Sequence, residues 1–331
     1  MARKKGQHEG DSPGHVRLPD DVLEIRDIGI PVINDDEVLV RVRAAAVNPP
    51  DWAGVTGVPY IARIASGLRK PRNGVRGSDV AGTVAAVGTN VTGLQVGDEV
   101  FGSGAGTFAE YAVASETNLV RKPATVTFEQ AAGVPMSGLT ALQALRDQGQ
   151  VRPGQKVLIN GAGGGIGTFA VQIAKTFGAD ITGVCSTTKM DLVRSLGADH
   201  VIDYTREDFT QGDQRYDFIL DNVLNHSLSR LLGALKPKGT LVPNGGQFHK
   251  TWIASTGVIL IKAPLLSLVK PQRIRPVRLS RNHDDLLALT ELLKSGEVTP
   301  VNDRTYPLSQ TPEAVTYFGQ GHARGKVAIT M

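Results

Sequence analysis

The residues with the plainest chemical meaning lie between positions 157 and 174. Val157-Leu158-Ile159-Asn160 is an apolar run, Gly161-Ala162-Gly163-Gly164-Gly165-Ile166-Gly167 a glycine cluster, and Phe169-Ala170-Val171-Gln172-Ile173-Ala174 an amphipathic stretch. A strand that turns through glycines into a helix presents the free N–H groups and the positive dipole end of that helix to whatever lies over the turn. Without a Cβ in the way, the backbone can approach an anion closely. The arrangement suits the pyrophosphate of a dinucleotide. Matched to G-x-G-x-x-G, its first position is Ala162, followed by Gly164 and Gly167. The candidate binding residues are Gly163, Gly164, Gly165, Ile166 and Gly167. The plain alternative, a flexible turn, is disfavoured by the strand–helix–strand pattern that follows.

Cofactor choice is read at the end of the next strand, where Asp or Glu would grip the ribose hydroxyls of NAD. Here Ile181-Thr182-Gly183-Val184-Cys185 runs into Ser186-Thr187-Thr188-Lys189, with hydroxyls and a cation at the tip and no carboxylate. Ser186, Thr187 and Lys189 suit the 2′-phosphate of NADPH, although they also serve to start the next helix.

These motifs need elements to hold them. Up to Pro123 the chain reads as short strands, at residues 38–43, 80–87, 99–101 and 109–113, with glycine turns and few helical signals. After Pro123 the texture changes. Thr127 and Gln130 form a capping box, and a helix over 137–145 follows Pro135. Strands at 156–160, 180–185, 201–202, 218–221 and 240–242 then alternate with helices at 166–177, 189–196 and 226–235, which predicts a parallel sheet covered on both faces. A helix over 284–295 and a strand over 326–330 close the chain. Residues 1–17 are polar and glycine-containing and read as a tail, with the first 14 or so expected to be poorly ordered.

Composition narrows the class. The chain has 331 residues, a net charge of +4 and 21% charged residues, without a basic stripe that would suit nucleic acid. Its one cysteine, Cys185, forbids an internal disulfide and points to a reducing compartment, the cytoplasm. No secretory leader is evident, and the apolar run 257–269, broken by Lys262 and Pro264, is too short to span a bilayer.

With these residues in hand, the chain resembles the zinc-free quinone oxidoreductases of the medium-chain dehydrogenase/reductase superfamily, relatives of zeta-crystallin and of the reticulon-interacting oxidoreductases. The resemblance runs from about Leu23 to the C-terminus. It rests on Asp36-Glu37-Val38-Leu39-Val40, Ala46-Val47-Asn48-Pro49-Pro50-Asp51, Gly77-Ser78-Asp79-Val80-Ala81-Gly82, Gly97-Asp98-Glu99-Val100-Phe101-Gly102, Phe108-Ala109-Glu110-Tyr111, Ser137-Gly138-Leu139-Thr140-Ala141, the glycine loop and Gly325-Lys326-Val327. It implies an α/β fold: a GroES-like, β-rich catalytic domain from both chain ends (18–124 and 272–331) and an inserted Rossmann domain with a doubly wound parallel sheet (125–271). It further implies that Thr140 and Asn48 lie near the nicotinamide, Tyr204 near the adenosine, Asn222 and Val223 beside the nicotinamide ribose, and 252–271 at the substrate mouth or a homodimer contact. The chain departs from the family where a first apolar strand is usual; residues 4–17 are polar there.

Zinc-dependent relatives place Cys where this chain has Val47-Asn48, and Gly-His-Glu where it has Gly77-Ser78-Asp79. With one cysteine and none of its seven histidines paired at ligand spacing, no metal is expected. The expected activity is NADPH-dependent hydride transfer to a quinone or an activated alkene, an enone or 2-alkenal, driven by proximity. Asn48 is the first candidate donor to the developing oxyanion. Tyr60, in Gly57-Val58-Pro59-Tyr60, is a candidate proton donor or stacking platform, with simple packing equally open. No pair of carboxylates stands out. Two alternatives are an NADPH-binding interaction protein with little turnover, and an enoyl-thioester reductase using Arg69-Lys70-Pro71-Arg72 on a carrier phosphate.

Overall fold

The computed structural model describes residues 19–56, 74–245 and 271–331. Tyr60, the basic run 69–72, the apolar run 257–269, the tail 1–17 and all of 252–271 except Pro271 lie outside the described residues.

Alternating valines build the first sheet. In β1 (Glu37–Ala46), Val38, Val40 and Val42 turn inward while Arg41 and Arg43 face solvent. β1 pairs along its length with β2 (Asp79–Val87), which continues to β3 (Glu99–Ser103) and β5 (Leu119–Arg121). On its other side, the first half of β1 pairs with β4 (Tyr111–Ser115) and its last residues with β13 (Lys326–Thr330), beyond which lies β12 (Asn302–Pro307). The two ends of the chain thus meet on one strand.

The second sheet is parallel, in the order β11-β10-β9-β6-β7-β8, from β6 (Lys156–Asn160), β7 (Asp180–Cys185), β8 (His200–Asp203), β9 (Tyr216–Asp221), β10 (Leu235–Pro243) and β11 (Arg273–Ile274). The order reverses between β6 and β9, the switch point at which doubly wound sheets bind dinucleotides. Its short edge strand, β11, lies just past residue 271, where the sequence reading ends the domain. The two sheets are the GroES-like and Rossmann-type halves that the resemblance implies.

The chain turns helical earlier than expected. The Asn48-Pro49-Pro50-Asp51 stretch starts helix α1 (Pro49–Thr56). Proline at the first helical position has no N–H to lose, and the Asp51 carboxylate accepts the Asn48 N–H at 2.9 Å, which caps the turn. The capping box of α2 (Phe128–Ala132) forms as read, with Thr127 and Gln130 each bonding the other's backbone. Helix α3 (Pro135–Gln143) is buried along its whole length and runs on as a π-helical turn, Ala144–Gly149. Helix α4 (Gly165–Thr176) buries Phe169, Ala170, Val171, Ile173 and Ala174 in the main core. Further helices are α5 (Met190–Ser195), α6 (Leu228–Gly233), α7 (His283–Lys294) and α8 (Thr311–Gly319), and a single helical turn, Pro19–Val22, precedes β1. Among the described residues no helix is long and apolar enough to cross a membrane.

One glycine locks α4 to the turn that feeds it. A Cβ on Gly167 would stand 2.1 Å from the Gly161 carbonyl oxygen and 2.7 Å from the Ala162 Cα, both backbone atoms that cannot swing aside. Gly167→Ala is therefore expected to lower the urea midpoint by a stability loss of about 1–3 kcal/mol or more. Gly212→Ala, where a Cβ meets nothing within 4 Å, is expected to leave it nearly unchanged.

Candidate active site

At the switch point β6 ends in Asn160 and β9 in Asp221, joined by the Asn160 amide donating to the Asp221 carboxylate at 2.9 Å. The chain leaves β6 through Gly161 at φ +79°, a left-handed conformation that glycine adopts without strain. It enters α4 at Gly164, the N-cap, where an added Cβ would meet only the Gly161 oxygen, at 3.4 Å, and would otherwise project into open space above the loop. That is a cradle a side chain would fill, and the first-turn amides of Gly165, Ile166 and Gly167 have no intrahelical partner. A pyrophosphate fits these residues.

The other sequence candidates fall around this loop. The Lys189 stem lies on Gly163, its Cδ 2.8 Å from where a Cβ would be, and its ammonium donates to the Ala323 carbonyl at 2.7 Å. Burial holds the Lys189 pKa below the ordinary lysine value. Ser186 and Thr187 follow β7. Thr187 donates its hydroxyl to Asp203 at 2.5 Å, so its proton is already committed. The Asp203 carboxylate comes from the tip of the neighbouring β8, because Cys185 pairs with Asp203, and linear reading of β7 does not reveal it. It also accepts from Thr205, whose hydroxyl and N–H donate at 2.8 and 3.0 Å. Tyr204, next to it, is 55% exposed. Across the cleft, the Val223 Cγ2 lies 3.0 Å from a Cβ built on Gly161, and Asn222 donates to the Asn160 carbonyl at 3.2 Å while accepting from Asn244 at 2.8 Å. Thr140 is buried in α3 with its hydroxyl turned back to the Met136 carbonyl at 2.7 Å.

Strand register assembles the most polar part of the site. Ala46 pairs with Asp79 on one side and with Ala328 on the other, so the residues just past β1 lie between the start of β2 and the start of β13. Asn48, Asp79 and Lys326 converge there, and the capping geometry of α1 adds Asp51. The Lys326 ammonium, 3% exposed, donates to the Asn48 Oδ1 at 2.5 Å, to the Ser137 Oγ at 3.2 Å and to the Val47 carbonyl at 3.4 Å. With its oxygen held by the lysine, the Asn48 amide turns its NH2 to the Asp79 Oδ2 at 2.9 Å and the Ala46 carbonyl at 3.2 Å. Both amide N–H bonds are thereby used inside the protein. The Met136 N–H donates to the same Asp79 oxygen at 3.1 Å, while the Asp79 Oδ1 is buried without a partner among the described residues.

Burial sets the electrostatics of this cluster. It pushes Asp51 up to about 7, helped by the like charge of Asp79 and opposed by the Asn48 N–H, Lys326 and Arg281. Burial likewise raises Asp79 and lowers Lys326. Asp51 and Asp79, 28 positions apart, are electrostatically coupled in this cluster, a neighbourhood that the linear sequence does not display. Lys326 is visible in the sequence only as a cation heading an otherwise apolar strand, and Asp51 as an acid at the third helical position. Cys185 is buried with its thiol raised to about 11 by desolvation, which leaves it unreactive.

A β-rich domain built from both chain ends, an inserted Rossmann sheet and a polar cleft where they meet define a medium-chain dehydrogenase/reductase. Residues 34–124 match the alcohol dehydrogenase GroES-like domain family and residues 196–329 the zinc-binding dehydrogenase family. The chain is 35% identical over 333 residues to the mitochondrial NAD(P)H oxidoreductase RTN4IP1 of Mus musculus, covering 91% of this chain and 84% of that one. It is 34% identical to the chloroplastic NADPH-dependent alkenal/one oxidoreductase of Arabidopsis thaliana, over 93% of this chain and 76% of the other. The quinone oxidoreductase from Coxiella burnetii superposes with a TM-score of 0.83 at 28% identity, covering 96% of both chains. The chain belongs to the quinone oxidoreductase/RTN4IP1-like family of the medium-chain dehydrogenase/reductase superfamily, a family of oxidoreductases. Despite the second family's description, no three His, Cys, Asp or Glu side chains gather into a metal-sized set among the described residues.

The elevated Asp51 has a consequence for stability. Between the ordinary carboxylate value of 3.8 and about 7, the folded chain keeps a proton that the unfolded chain has released. Stability therefore falls as pH rises through that window and levels above it. Denaturation of wild type and Asp51→Asn from acid to neutral pH should show wild type losing stability relative to the variant across it. Parallel curves would contradict the assignment.

Proposed function

We propose that this protein is an NADPH-dependent reductase of quinones and of activated alkenes, enones and 2-alkenals, that works without a metal. The observation that carries the reading is a glycine cradle at a switch point, facing a buried polar cluster rather than a metal-ligand set in the same cleft. The names of the relatives point to the same two acceptor classes.

NADPH, when bound, supplies a hydride from its nicotinamide. In this reading Gly163, Gly164, Gly165, Ile166 and Gly167 hold the pyrophosphate. Asn222 and Val223 line the nicotinamide ribose, Thr140 and Asn48 the nicotinamide, and Tyr204 the adenosine. Lys189 and Ser186 meet the 2′-phosphate, with Thr187 shaping the pocket wall through its bond to Asp203. Two features favour NADPH over NADH: a lysine stem lies on the loop, and the one carboxylate at the tips of β7 and β8 is already engaged by Thr187 and Thr205. Orientation and exclusion of water supply most of the acceleration. Because its NH2 is engaged with Asp79 and Ala46, Asn48 lines the reacting end and does not itself donate to the substrate oxygen. Tyr60 remains the candidate proton donor or stacking platform, and Tyr60→Phe separates these, since only a proton donor loses kcat. The assembly in this reading is a homodimer.

Two experiments test the proposal. A panel of quinones, enones and 2-alkenals should oxidise NADPH faster than NADH at equal concentration. Tight NADPH binding with a silent panel would instead indicate a cofactor-binding interaction protein, and activity confined to enoyl thioesters would redirect the substrate class. Lys189→Ala should raise the NADPH Kd about tenfold or more, the worth of one charged hydrogen bond, while changing NADH binding little. An equal loss for both nucleotides would remove Lys189 from the 2′-phosphate site.

A further inference from the structure

The buried cluster at the end of β1 contains one cation whose place in the reaction is not accounted for by cofactor binding. Its ammonium bridges three elements: Val47 and Asn48 after β1, Ser137 in α3, and its own strand β13. It also borders the dinucleotide loop, since a Cβ on Gly165 would stand 3.2 Å from the Lys326 Cδ and 3.5 Å from the Ser137 Oγ. Val47 and Asn48 are where zinc-dependent relatives place a cysteine ligand, and Asp79 falls within the segment that carries their histidine.

We infer that Lys326 is a positioning residue for hydride transfer, the fixed internal cation that fills the role of a metal's charge at this centre and sets the orientation of the Asn48 amide. The inference rests on the hydride-transfer reading above. When an enone is reduced, the hydride with its electron pair forms a new C–H bond at the β-carbon and the π pair moves to the carbonyl oxygen. A proton from water then completes the product as NADPH becomes NADP+. Negative charge grows on that oxygen, and a cation fixed in a water-poor interior favours it more than the same charge in water would. Lys326 acts from beneath the site, because all three of its donors are engaged within the protein. Asp51 opposes it. Asp79, Lys326, Arg76, Arg281 and the Asn48 N–H are the charged and polar groups that face Asp51. Once Asp51 ionises, the cluster gains a negative charge and the benefit shrinks, so turnover should fall as pH rises past neutrality.

The test uses the full chain and five variants: Lys326→Met, Lys326→Arg, Asp51→Asn, Asp79→Asn, and Lys326→Met combined with Asp79→Asn, which removes the cation together with the carboxylate it faces if the single variant fails to fold. The first readout needs no turnover. Carbon-13 carboxyl NMR of the nucleotide-free protein should show the Asp51 midpoint higher in Lys326→Met than in wild type, and higher in the double variant than in Asp79→Asn, because each comparison removes only the lysine's opposing charge. A midpoint that loss of the lysine leaves unmoved in both comparisons overturns the inference. The second uses an acceptor that wild type reduces. kcat should fall about 10- to 100-fold in Lys326→Met and in the double variant, as for other partners one step from the reacting atoms, with NADPH Kd by fluorescence within about twofold. Lys326→Arg should retain more of the activity, and Asp51→Asn should lose the decline of kcat above neutral pH. If the double variant turns over like wild type, the lysine merely neutralises Asp79 and the inference is wrong. If wild type reduces no acceptor, the functional reading falls, and the Asp51 titration still decides whether the lysine governs the cluster's charge.

Discussion

A full positive charge almost entirely inside a protein is the constraint on which this structure turns. Removing an ammonium from water costs several kcal/mol, and the cost is met only if its N–H groups find well-placed acceptors and opposite charge lies near. Lys326 finds three acceptors, with Asp79 and Asp51 close by. Those acceptors belong to the end of β1 and to α3, so satisfying one ammonium fixes the relative placement of the catalytic sheet, the last strand of the chain and the first long helix of the Rossmann half. A shift of any one of them would strand a donor or a carboxylate in the interior, where loss of a partner is far more costly than on the surface.

The strand that carries this lysine also carries the contact with the nucleotide loop. The Gly325 N–H donates to the Gly163 carbonyl at 3.2 Å, and the Ala323 carbonyl accepts from Lys189. Within four residues the chain thus touches the glycine turn at one end and the buried polar cluster at the other. Placement of the glycine turn and placement of the buried charge therefore cannot be varied independently. This gives a physical reason for the last strand of the chain to pair with β1, inside the edge strand β12.

How much of this was legible in the sequence depended on distance along the chain. The glycine loop, β6, β7, β13 and the capping box of α2 were readable because each is set by neighbours within a few residues: alternation, turn glycines, Thr127 with Gln130. Helix α1 is masked because Asn48-Pro49-Pro50 looks like a breaker, although proline followed by an acid at the third position is a helix start. Helix α8 and strand β12, in a stretch rich in polar residues, likewise carry no clear periodicity. The polar cluster was only half visible. Asn48 was singled out through family resemblance, but its orientation depends on Asp79 and Lys326, which are 31 and 278 residues away and reach it only through strand register. Asp203 escaped for the same reason, since a parallel neighbour, not the next residue, brings it to Thr187.

The same cluster bears on which acceptors this scaffold can serve. Zinc lowers the barrier for alcohols by binding the alkoxide directly, which requires an open coordination position and ligands such as Cys or His. An ammonium already engaged by three protein acceptors offers no such position. It can only raise the local potential and keep its neighbours in place. That is of most use when the acceptor needs no activation by proton loss or coordination, as with a quinone ring or a carbonyl-conjugated alkene, whose electron-poor carbon accepts hydride as soon as geometry permits. Having Asn48 and Ser78 in the segments where zinc-dependent relatives carry Cys and His, with a lysine between the strand ends, therefore does more than delete a metal. In the proposed reaction it moves the chemistry from making an alkoxide to delivering a hydride to an acceptor, with the barrier governed by orientation and by how much charge the interior already holds.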